Sequence, residues 1–240
     1  MINILLNGSN GNMGRVISEY LCDSREFNIL YKIDKDNANT IYTITQKPDV
    51  IIDFSIPCAT FSILDYAVKN LVPIVIATTG FNEIQEKRIV EFSEAIPIFK
   101  SANMCFGINV VSNSSSLLAQ VLTSFDIEIV EKHHRKKIDS PSGTALMIAN
   151  KINKNCGNKY KYIYSRSLSK HCKNSNEIGF SSIRGGGLIG EHSILFLGEN
   201  ETIELKHTAY SRNIYADGAL RAAKFIVAKK NGLYSMSDIC

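Results

Sequence analysis

The sequence predicts an α/β fold in which an N-terminal Rossmann-type, doubly wound parallel sheet is followed by a second α+β domain built on a mixed sheet. Short apolar runs alternate with helical periodicity through the first hundred residues. A glycine-rich loop joins the first strand to the first helix, as in dinucleotide-binding units. Three later β-type runs have no long helices between them, which favours a mixed or antiparallel sheet.

The elements of the first half follow one another as strand and helix patterns. We expect strands at residues 2–6, 28–34, 50–55, 73–77 and 96–99, with helices at 13–22, 58–69 and 82–93. Because most of these strands are separated by helices, the connections are crossovers and the strands run parallel.

The second half begins with a helix at residues 108–122, a strand at 126–131 and a helix at 144–154. After a polar stretch at 156–177, β-type runs occupy 180–184, 192–197 and 202–209. A last helical pattern, 215–230, could pack back on the first domain. We therefore expect a dinucleotide-binding domain of residues 1–104, completed by 213–240, and a second domain of residues 105–212.

Composition limits the classes of protein that fit. With 240 residues, 45% hydrophobic and 21% charged, the chain predicts a packed globular protein, and a net charge of +4 does not suggest a general nucleic-acid binder. The N-terminus lacks a basic leader, and no apolar run reaches the roughly 18 residues that span a bilayer, so we expect a cytoplasmic protein without membrane contact. The six cysteines are scattered, which favours reduced thiols over disulfides or zinc, and no metal site is predicted.

The glycine loop follows the first strand directly. Gly8, Gly11 and Gly14 form the pattern G-x-x-G-x-x-G before a helix, where glycines admit a pyrophosphate and the helix start supplies free N–H groups. Asp34 ends the second strand 20 residues after Gly14, at the position of an acceptor for ribose hydroxyls. Together these features predict dinucleotide binding, although a glycine-rich turn alone would be weak evidence.

The choice of cofactor stays open. Asp34 would repel a ribose 2′-phosphate, whereas Lys35 could pair with one or be an ordinary surface lysine, so NADH and NADPH both fit. Two further strands end in polar loops on the ligand-binding side of such a sheet, at residues 77–80 and 101–104. Turn chemistry would explain these two loops nearly as well as cofactor contact.

A basic run precedes a predicted helix start. Six successive side chains from Lys132 to Lys137 can carry positive charge, and Ser140-Pro141-Ser142-Gly143-Thr144 follows. A solvated charge run or a nucleic-acid patch is possible, but the neighbouring helix start also favours an anion, so we expect cations and helix dipole to converge on one small volume. Lys137, His134 and the amides of Gly143 and Thr144 could hold two carboxylates. His133 would then be left to transfer a proton.

These residues also carry a family resemblance that covers nearly the whole chain. The segment from Glu131 to Ala145 reads E-x-H-H-R-x-K-x-D-x-P-S-G-T-A, and the segment from Arg184 to His192 carries R-G-G-G and G-E-H. Both are far more specific than the glycine loop, and both resemble the 4-hydroxy-tetrahydrodipicolinate reductases, also called dihydrodipicolinate reductases. Departures from the family are Ala77, where glycine is frequent, and a short segment at residues 35–47.

The resemblance implies roles for particular residues. His133 would be the proton donor and Lys137 the second catalytic group, and the substrate, a cyclic imine with two carboxylates, would be held by His134, Lys137, Gly143 and Thr144. The cofactor, NADPH or NADH, would be lined by Gly8, Ser9, Asn10, Gly11, Asn12, Met13, Asp34, Lys35, Ala77, Thr78, Thr79, Ser101, Ala102, Asn103 and Met104. The resemblance also implies a homotetramer in which the sheets of the second, substrate-binding and oligomerisation domain meet at the centre.

Two other functions remain as alternatives. Another NAD(P)-dependent dehydrogenase of a small amino or dicarboxylic acid would share the two-domain build but not the paired H-H-R-x-K and P-S-G-T motifs. A nucleotide-sensing or nucleic-acid-binding protein would bind without oxidising the cofactor, and duplex DNA would bind it with a steep salt dependence.

Overall fold

The structure, a computed structural model, describes residues 1–167 and 172–240. It divides into two compact units, one of Met1–Phe106 with Arg212–Cys240 and one of Gly107–Ser211. The predicted polar stretch at 156–177 therefore includes four residues, 168–171, that lie outside the described part.

The first unit is built on a sheet of six strands that are all parallel. In chain order they are β1 (Ile2–Asn7), β2 (Phe27–Ile33), β3 (Val50–Asp53), β4 (Ile74–Ile76), β5 (Pro97–Lys100) and β11 (Gly232–Tyr234). The spatial order is β11-β5-β4-β3-β1-β2. The sheet order therefore reverses beside β1, between β1 and β3, which is where open α/β sheets bind ligands.

Helices cover both faces of this sheet. They are α1 (Asn12–Tyr20), α2 (Pro57–Asn70), α3 (Glu83–Ser93) and α6 (Asn213–Ile226), with short 3-10 helices at Lys35–Tyr42 and Met236–Asp238. Successive strand residues point to opposite faces, so Ile4 and Leu6 join one core with α1 and α6, whereas Leu5 joins another with α2 and α3. The predicted doubly wound arrangement is confirmed.

The C-terminal part differs from the sequence prediction. The helix expected at residues 215–230 ends at Ile226, and the unpredicted strand β11 follows it. Three residues are too few to show strand periodicity, and β11 exists because Leu233 and its neighbours pair with β5 at the sheet edge. This pairing is a tertiary contact that a local pattern does not contain.

The second unit is built on a mixed sheet of five strands, as predicted. Its elements are α4 (Phe106–Val121), which begins at the end of the first unit, β6 (Asp126–His133), α5 (Gly143–Asn155), β7 (Lys161–Ile163), β8 (Glu177–Arg184), β9 (Gly190–Leu197) and β10 (Thr202–Ala209). The order is β10-β9-β6-β8-β7, with β9 antiparallel to both its neighbours and β8 parallel to both of its own. The short strand β7 lies in the predicted polar stretch and was not expected.

The two faces of this sheet differ in burial. Helix α5 packs against β6, and the alternate residues Ile127, Ile129, Glu131 and His133 of that strand are buried. The intervening residues of β6 are only partly buried, and Lys132 pairs across this other face with Glu191 of β9 at 2.6 Å. We call this second surface the open face.

In the described part of the chain, no helix is long and apolar enough to cross a membrane. The same residues contain no group of three or more His, Cys, Asp or Glu side chains that could hold a metal ion. All six cysteines lie in the described residues, and none of them forms a disulfide.

A close approach between helix α6 and the loop after β5 yields a stability test. A Cβ at Gly218 of α6 would lie 1.6 Å from the carbonyl oxygen of Met104. We expect Gly218→Ala to lower the free energy of unfolding by about 1–3 kcal/mol, because this overlap outweighs the better helix propensity of alanine. Urea denaturation measures the change.

Gly187→Ala is the control for this substitution, since a Cβ there would meet no heavy atom within 4 Å. Equal stability of the Gly218→Ala and Gly187→Ala proteins would contradict the close approach.

Candidate active site

The carboxyl ends of the parallel strands bring the predicted cofactor-binding residues to one edge of the first sheet. The glycine loop follows β1, Asp34 follows β2, the loop at residues 77–80 follows β4, and the loop at 101–104 follows β5. Parallel strands present their carboxyl ends at the same edge, so segments far apart in sequence lie together there.

The glycine loop has no room for side chains at two of its glycines. Gly8 has a φ of +80°, and a Cβ there would lie 2.4 Å from the carbonyl oxygen of Phe54. A Cβ at Gly14 would lie 2.3 Å from the carbonyl oxygen of Gly8. Gly11 is the N-cap of α1. Because glycine has no side chain, it provides no acceptor for the N–H groups of the first turn, which begins at Asn12. Such a tight turn before an uncapped helix start fits a dinucleotide pyrophosphate.

Asp34 lies against this loop. Its Oδ2 accepts a hydrogen bond from the Asn10 N–H at 2.8 Å, and its Oδ1 accepts one from the Lys35 N–H at 2.8 Å. It also caps the 3-10 helix Lys35–Tyr42, which occupies most of the short segment at 35–47 without a strand. The side chain of Lys35 is exposed.

A buried carboxylate joins the strand ends at the same edge of the sheet. No function was predicted for it from the sequence. Asp53, at the end of β3, is fully buried and accepts hydrogen bonds from Asn7 Nδ2 (2.8 Å), Ser55 Oγ (2.5 Å), Thr60 Oγ1 (2.6 Å) and Thr78 Oγ1 (2.8 Å). Burial raises the pKa of Asp53, although each of these donors lowers it. The network ties the ends of β1, β3 and β4 together.

The remaining predicted cofactor residues differ in exposure. Asn10, Gly11, Asn12, Thr79 and Ala102 are exposed, whereas Ser9 and Thr78 are buried. Ser101 Oγ donates to the carbonyl of Asn103 at 2.9 Å and shapes the loop after β5. Met104 is only 2% exposed, and its side chain belongs to the core of the first unit.

The second unit presents a helix start beside the basic run. Ser142 Oγ caps α5 by accepting from the Ala145 N–H at 3.1 Å. Gly143 and Thr144 are the first two residues of α5, and Gly143 is exposed. The nearby Lys137 Nζ lies 2.8 Å from Asp139 Oδ1. Hydrogen bonding to Lys137 lowers the pKa of Asp139, and the Gly143 N–H adds to this effect. Lys137 therefore binds a carboxylate whose ionised form the start of α5 also favours.

The expectation that all six cations of the basic run converge on one volume is wrong. Lys132 lies on the open face because strand side chains alternate, and it is neutralised there by Glu191. Arg135 and Lys136 are exposed in the turn that follows β6. His133 is buried on the helix-covered face. His134 is partly buried, and its Nδ1 has no hydrogen-bond partner in the described part of the chain.

The carboxylate of a buried glutamate, Glu131, lies next to the His133 imidazole. Glu131 is fully buried, and its two carboxylate oxygens accept from Arg184 Nη1 (2.8 Å) and Nη2 (2.6 Å). His133 Nδ1 lies 2.5 Å from Glu131 Oε2, and the Ser142 N–H donates to Oε1 at 3.2 Å. Burial raises the pKa of Glu131, but hydrogen bonds with Arg184, Ser182 and His133 lower it by more than burial raises it. The net pKa is about 2.

Burial lowers the pKa of His133, and the positive charges of Lys137 and Arg184 lower it too, whereas Glu131 raises it. The net direction is downward, so the imidazole is held towards its neutral form. A second histidine, His192, lies edge-on to His133 with ring centroids 5.1 Å apart. Its Nε2 is 2.9 Å from Ser142 Oγ.

Glu131, Arg184 and His192 lie within the two sequence motifs, but no function was predicted for them. Ser142 was predicted only to lie at the helix start. Glu131 stands two residues before His133, so the two side chains share a face of the strand. That spacing was a usable signal. The partnership of Arg184 and His192 depends on the registers of β8 and β9 against β6, which place Arg184 beside His133 and His192 beside Glu131.

The buried histidine makes stability depend on pH. Burial lowers the pKa of His192 from 6.5 to about 3, so between these values the unfolded chain binds a proton that the folded chain does not. Stability should therefore fall as the pH is lowered through this window. Replacing His192 with Asn should reduce the slope of unfolding free energy against pH by up to about 1.4 kcal/mol per pH unit.

Urea titrations of both proteins between about pH 6.5 and 5.5 measure this effect as the difference between two slopes, because the lowered pKa values of His133 and His207 contribute to both proteins alike. An unchanged slope in the His192→Asn protein would show that His192 is not held neutral.

Comparison with known proteins places the chain in a family. The family model described as dihydrodipicolinate reductase, N-terminus, matches residues 2–104, and the one described as dihydrodipicolinate reductase, C-terminus, matches residues 107–240. The 4-hydroxy-tetrahydrodipicolinate reductase of Caldanaerobacter subterraneus is 43% identical over 246 residues, covering 100% of this chain and 98% of that protein. The enzyme of the same name from Brachyspira hyodysenteriae is 42% identical, covering 98% of each chain.

Solved structures share the fold. Dipicolinate-bound dihydrodipicolinate reductase from Paenisporosarcina sp. TG-14 matches all of both chains with a TM-score of 0.81 at 24% identity. The amine dehydrogenase from Mycobacterium smegmatis matches 98% of this chain and 95% of its own with a TM-score of 0.63, but at 9% identity. These likenesses concern the architecture, whereas the family matches and the identities to the relatives concern the sequence itself. The chain belongs to the dihydrodipicolinate reductase family.

Proposed function

We propose that this chain reduces 4-hydroxy-tetrahydrodipicolinate to tetrahydrodipicolinate with NADH or NADPH, in the biosynthesis of diaminopimelate and lysine. Membership of the family over both parts of the chain supports the activity. The observation that carries the proposal within the structure is the binding of a carboxylate, that of Asp139, by Lys137 at 2.8 Å, next to a helix start that also favours its ionised form.

The site on α5 suits a small dicarboxylate. Lys137 binds the exposed carboxylate of Asp139 at 2.8 Å, and the Gly143 N–H also favours the ionised form of that carboxylate. A substrate carboxylate would interact with the same two groups in its place. We assign substrate binding to Lys137, Gly143, Thr144 and His134, with Thr144 and Gly143 offering the N–H groups of a helix start.

The cofactor would bind at the carboxyl edge of the first sheet. The glycine loop has the tight turn and helix start that a pyrophosphate needs, and Asp34 stands at the end of β2, where ribose hydroxyls are bound. We assign cofactor contacts to the loops after β1, β4 and β5, with Lys35 next to Asp34. When bound, NADH or NADPH supplies the hydride. The location we propose is the cytoplasm, where this reduced cofactor is available.

The protein itself supplies the proton. We assign proton donation to His133, acting from Nε2 because Nδ1 is bound to Glu131. Lys137, as the second catalytic group, would hold a substrate carboxylate and keep a positive charge beside the ring as electrons enter it. Loss of the 4-hydroxyl group as water gives a conjugated cyclic imine, and hydride and proton then add across its conjugated double bond. The products are tetrahydrodipicolinate, water and the oxidised cofactor, and no other reactant is needed.

The activity has a direct test. The purified protein is coupled to the enzyme that makes the substrate from pyruvate and aspartate semialdehyde, and nicotinamide absorbance is followed with each cofactor. His133→Ala should lower turnover roughly 10²-fold or more while binding of pyridine-2,6-dicarboxylate survives, because a general acid is lost but the anion contacts remain. Lys137→Ala should weaken both turnover and binding.

Lys136→Ala is the matched control, because Lys136 is the exposed neighbour of Lys137 and has no place in the proposed site. Absence of oxidation with either cofactor would refute the proposed function. Normal turnover of His133→Ala would move the proton donor to another residue.

We also propose a homotetramer that forms through the open face of the second sheet. Val130 and Lys132 of β6 and Ile183 of β8 lie on this face, and Ile183 is 49% exposed in the single chain. An apolar side chain at such a position gains free energy when another sheet covers it.

Sedimentation equilibrium should give four times the 26.7 kDa chain mass. Ile183→Glu should dissociate the assembly, since it would bury an unpaired charge. Ile84→Glu, the same substitution at a more exposed isoleucine of α3, should leave the mass unchanged. A monomeric wild-type protein would refute the tetramer.

A further inference from the structure

We infer that Glu131 is a positioning residue that holds His133 in the Nδ1–H tautomer, and that His133 Nε2 therefore takes up a proton when a dicarboxylate binds. The identity of the ligand rests on the proposed function. The orientation of the imidazole does not, because it follows from contacts within the second unit.

The carboxylate of Glu131 has a donor for each of its acceptor positions. Two come from Arg184, at 2.8 and 2.6 Å, one is the Ser142 N–H at 3.2 Å, and His133 Nδ1 lies at 2.5 Å. The carboxylate is fully buried, so water does not compete for these positions. Side chain and backbone groups from β8, α5 and β6 thus fix its orientation.

This arrangement decides which imidazole nitrogen carries hydrogen. An ionised carboxylate only accepts hydrogen bonds, and the guanidinium of Arg184 keeps Glu131 ionised. Nδ1 of His133 must then be the donor, because a bare nitrogen at 2.5 Å would place a lone pair against a negative oxygen. In the neutral imidazole, Nε2 is consequently left with a lone pair and has no proton to give.

The main chain of β9 passes close to Nε2. A Cβ at Gly190 would lie 3.0 Å from Nε2 and 3.3 Å from the adjoining Cδ2. Any larger residue at position 190 would therefore crowd the Nε2 lone pair, whereas glycine does not. His192, the other ring beside His133, is turned to Ser142.

The groups around His133 decide when Nε2 becomes protonated. Glu131 on β6 favours the imidazolium, whereas burial, Lys137 in the following loop and Arg184 on β8 oppose it. His192 on β9 is neutral because its own pKa is lowered by burial, and the first turn of α5 contains no acidic residue. A bound dicarboxylate adds two negative charges beside Lys137. These charges offset the positive charge of Lys137 and so favour the protonated form of His133.

The proton balance follows. On binding, the dicarboxylate enters as a dianion, and His133 Nε2 takes one proton from solvent to form an imidazolium that Glu131 stabilises through Nδ1. During reduction that proton passes to a ring carbon of the substrate, and His133 returns to the neutral Nδ1–H form. The cycle needs no acid other than solvent protons, and the hydride comes from the nicotinamide.

The tautomer is measured in the ligand-free protein by ¹⁵N NMR of histidine-labelled chain. A His133→Asn spectrum assigns the signals of His133 among the five histidines. We expect Nδ1 to carry hydrogen and Nε2 to be bare above the pKa of His133. In Glu131→Gln the Nε2–H tautomer should become populated, because a glutamine amide can donate to Nδ1, and His133 should titrate at a lower pH than in the wild type.

Glu128→Gln is the matched control. Glu128 lies on the same strand but on the open face, where it pairs with Arg166 at 2.6 Å. This variant should leave the tautomer and the titration of His133 unchanged. Dominance of the Nε2–H form in the wild type, or an unchanged tautomer in a folded Glu131→Gln protein, would overturn the positioning role. If Glu131→Gln does not fold, the wild-type spectrum still decides the tautomer.

Proton uptake is measured by calorimetric titration of pyridine-2,6-dicarboxylate at one pH in buffers of different ionisation enthalpy. The wild type and Glu128→Gln should take up about one proton per ligand, and Glu131→Gln far less. Binding of the dianion to the wild type without proton uptake would overturn the second part of the inference. Failure of the dianion to bind would also overturn this part of the inference, and it would count against the proposed substrate. A protein that binds the dianion with proton uptake but never oxidises the cofactor would refute only the proposed activity.

Discussion

The ion pair between Glu131 and Arg184 is the interaction on which the second unit's site depends. A buried carboxylate is costly unless its acceptor positions are filled, and here Arg184, Ser142 and His133 fill them. Each donor belongs to a different part of the site: a neighbouring strand, the helix whose start we propose as the anion site, and the imidazole that we propose as the proton donor. Removing one partner of such a buried pair typically costs about 3–5 kcal/mol. The same contacts that stabilise the fold therefore orient the chemistry.

The first unit uses a similar arrangement without a cation. Asp53 is buried at the end of β3, and hydroxyl and amide donors from three other segments converge on it, including Asn7 and Thr78. Asn7 and Thr78 belong to the ends of β1 and β4, which flank β3 and lead into the loops expected to contact the cofactor. The two units thus share a physical principle. A carboxylate that cannot reach water collects donors from separate strands and fixes the loops attached to them.

Much of the fold could be read from local pattern. Apolar periods of two and of three to four residues located the strands β1 to β5 and the helices between them, and the glycine spacing located the turn before α1. The elements that were missed, β7 and β11, have three residues each and exist through pairing with β8 and β5. In the site, His133, Lys137 and Gly143 could be named because their residue types and spacing carry chemistry. Asp53, Arg184 and His192 could not be assigned roles, since each has partners on other strands or helices that are distant in sequence.

What the sequence alone determined is the alternation of elements, the uncapped glycine turn and the presence of basic side chains next to a helix start. The tertiary structure decided which of those charges act together. Strand alternation sends Lys132 to the open face and His133 to the buried one, and the registers of β8 and β9 bring Arg184 and His192 to the same end of the sheet. The physical reason is that a side chain's neighbours across a sheet are set by strand pairing, which joins residues that no local pattern relates.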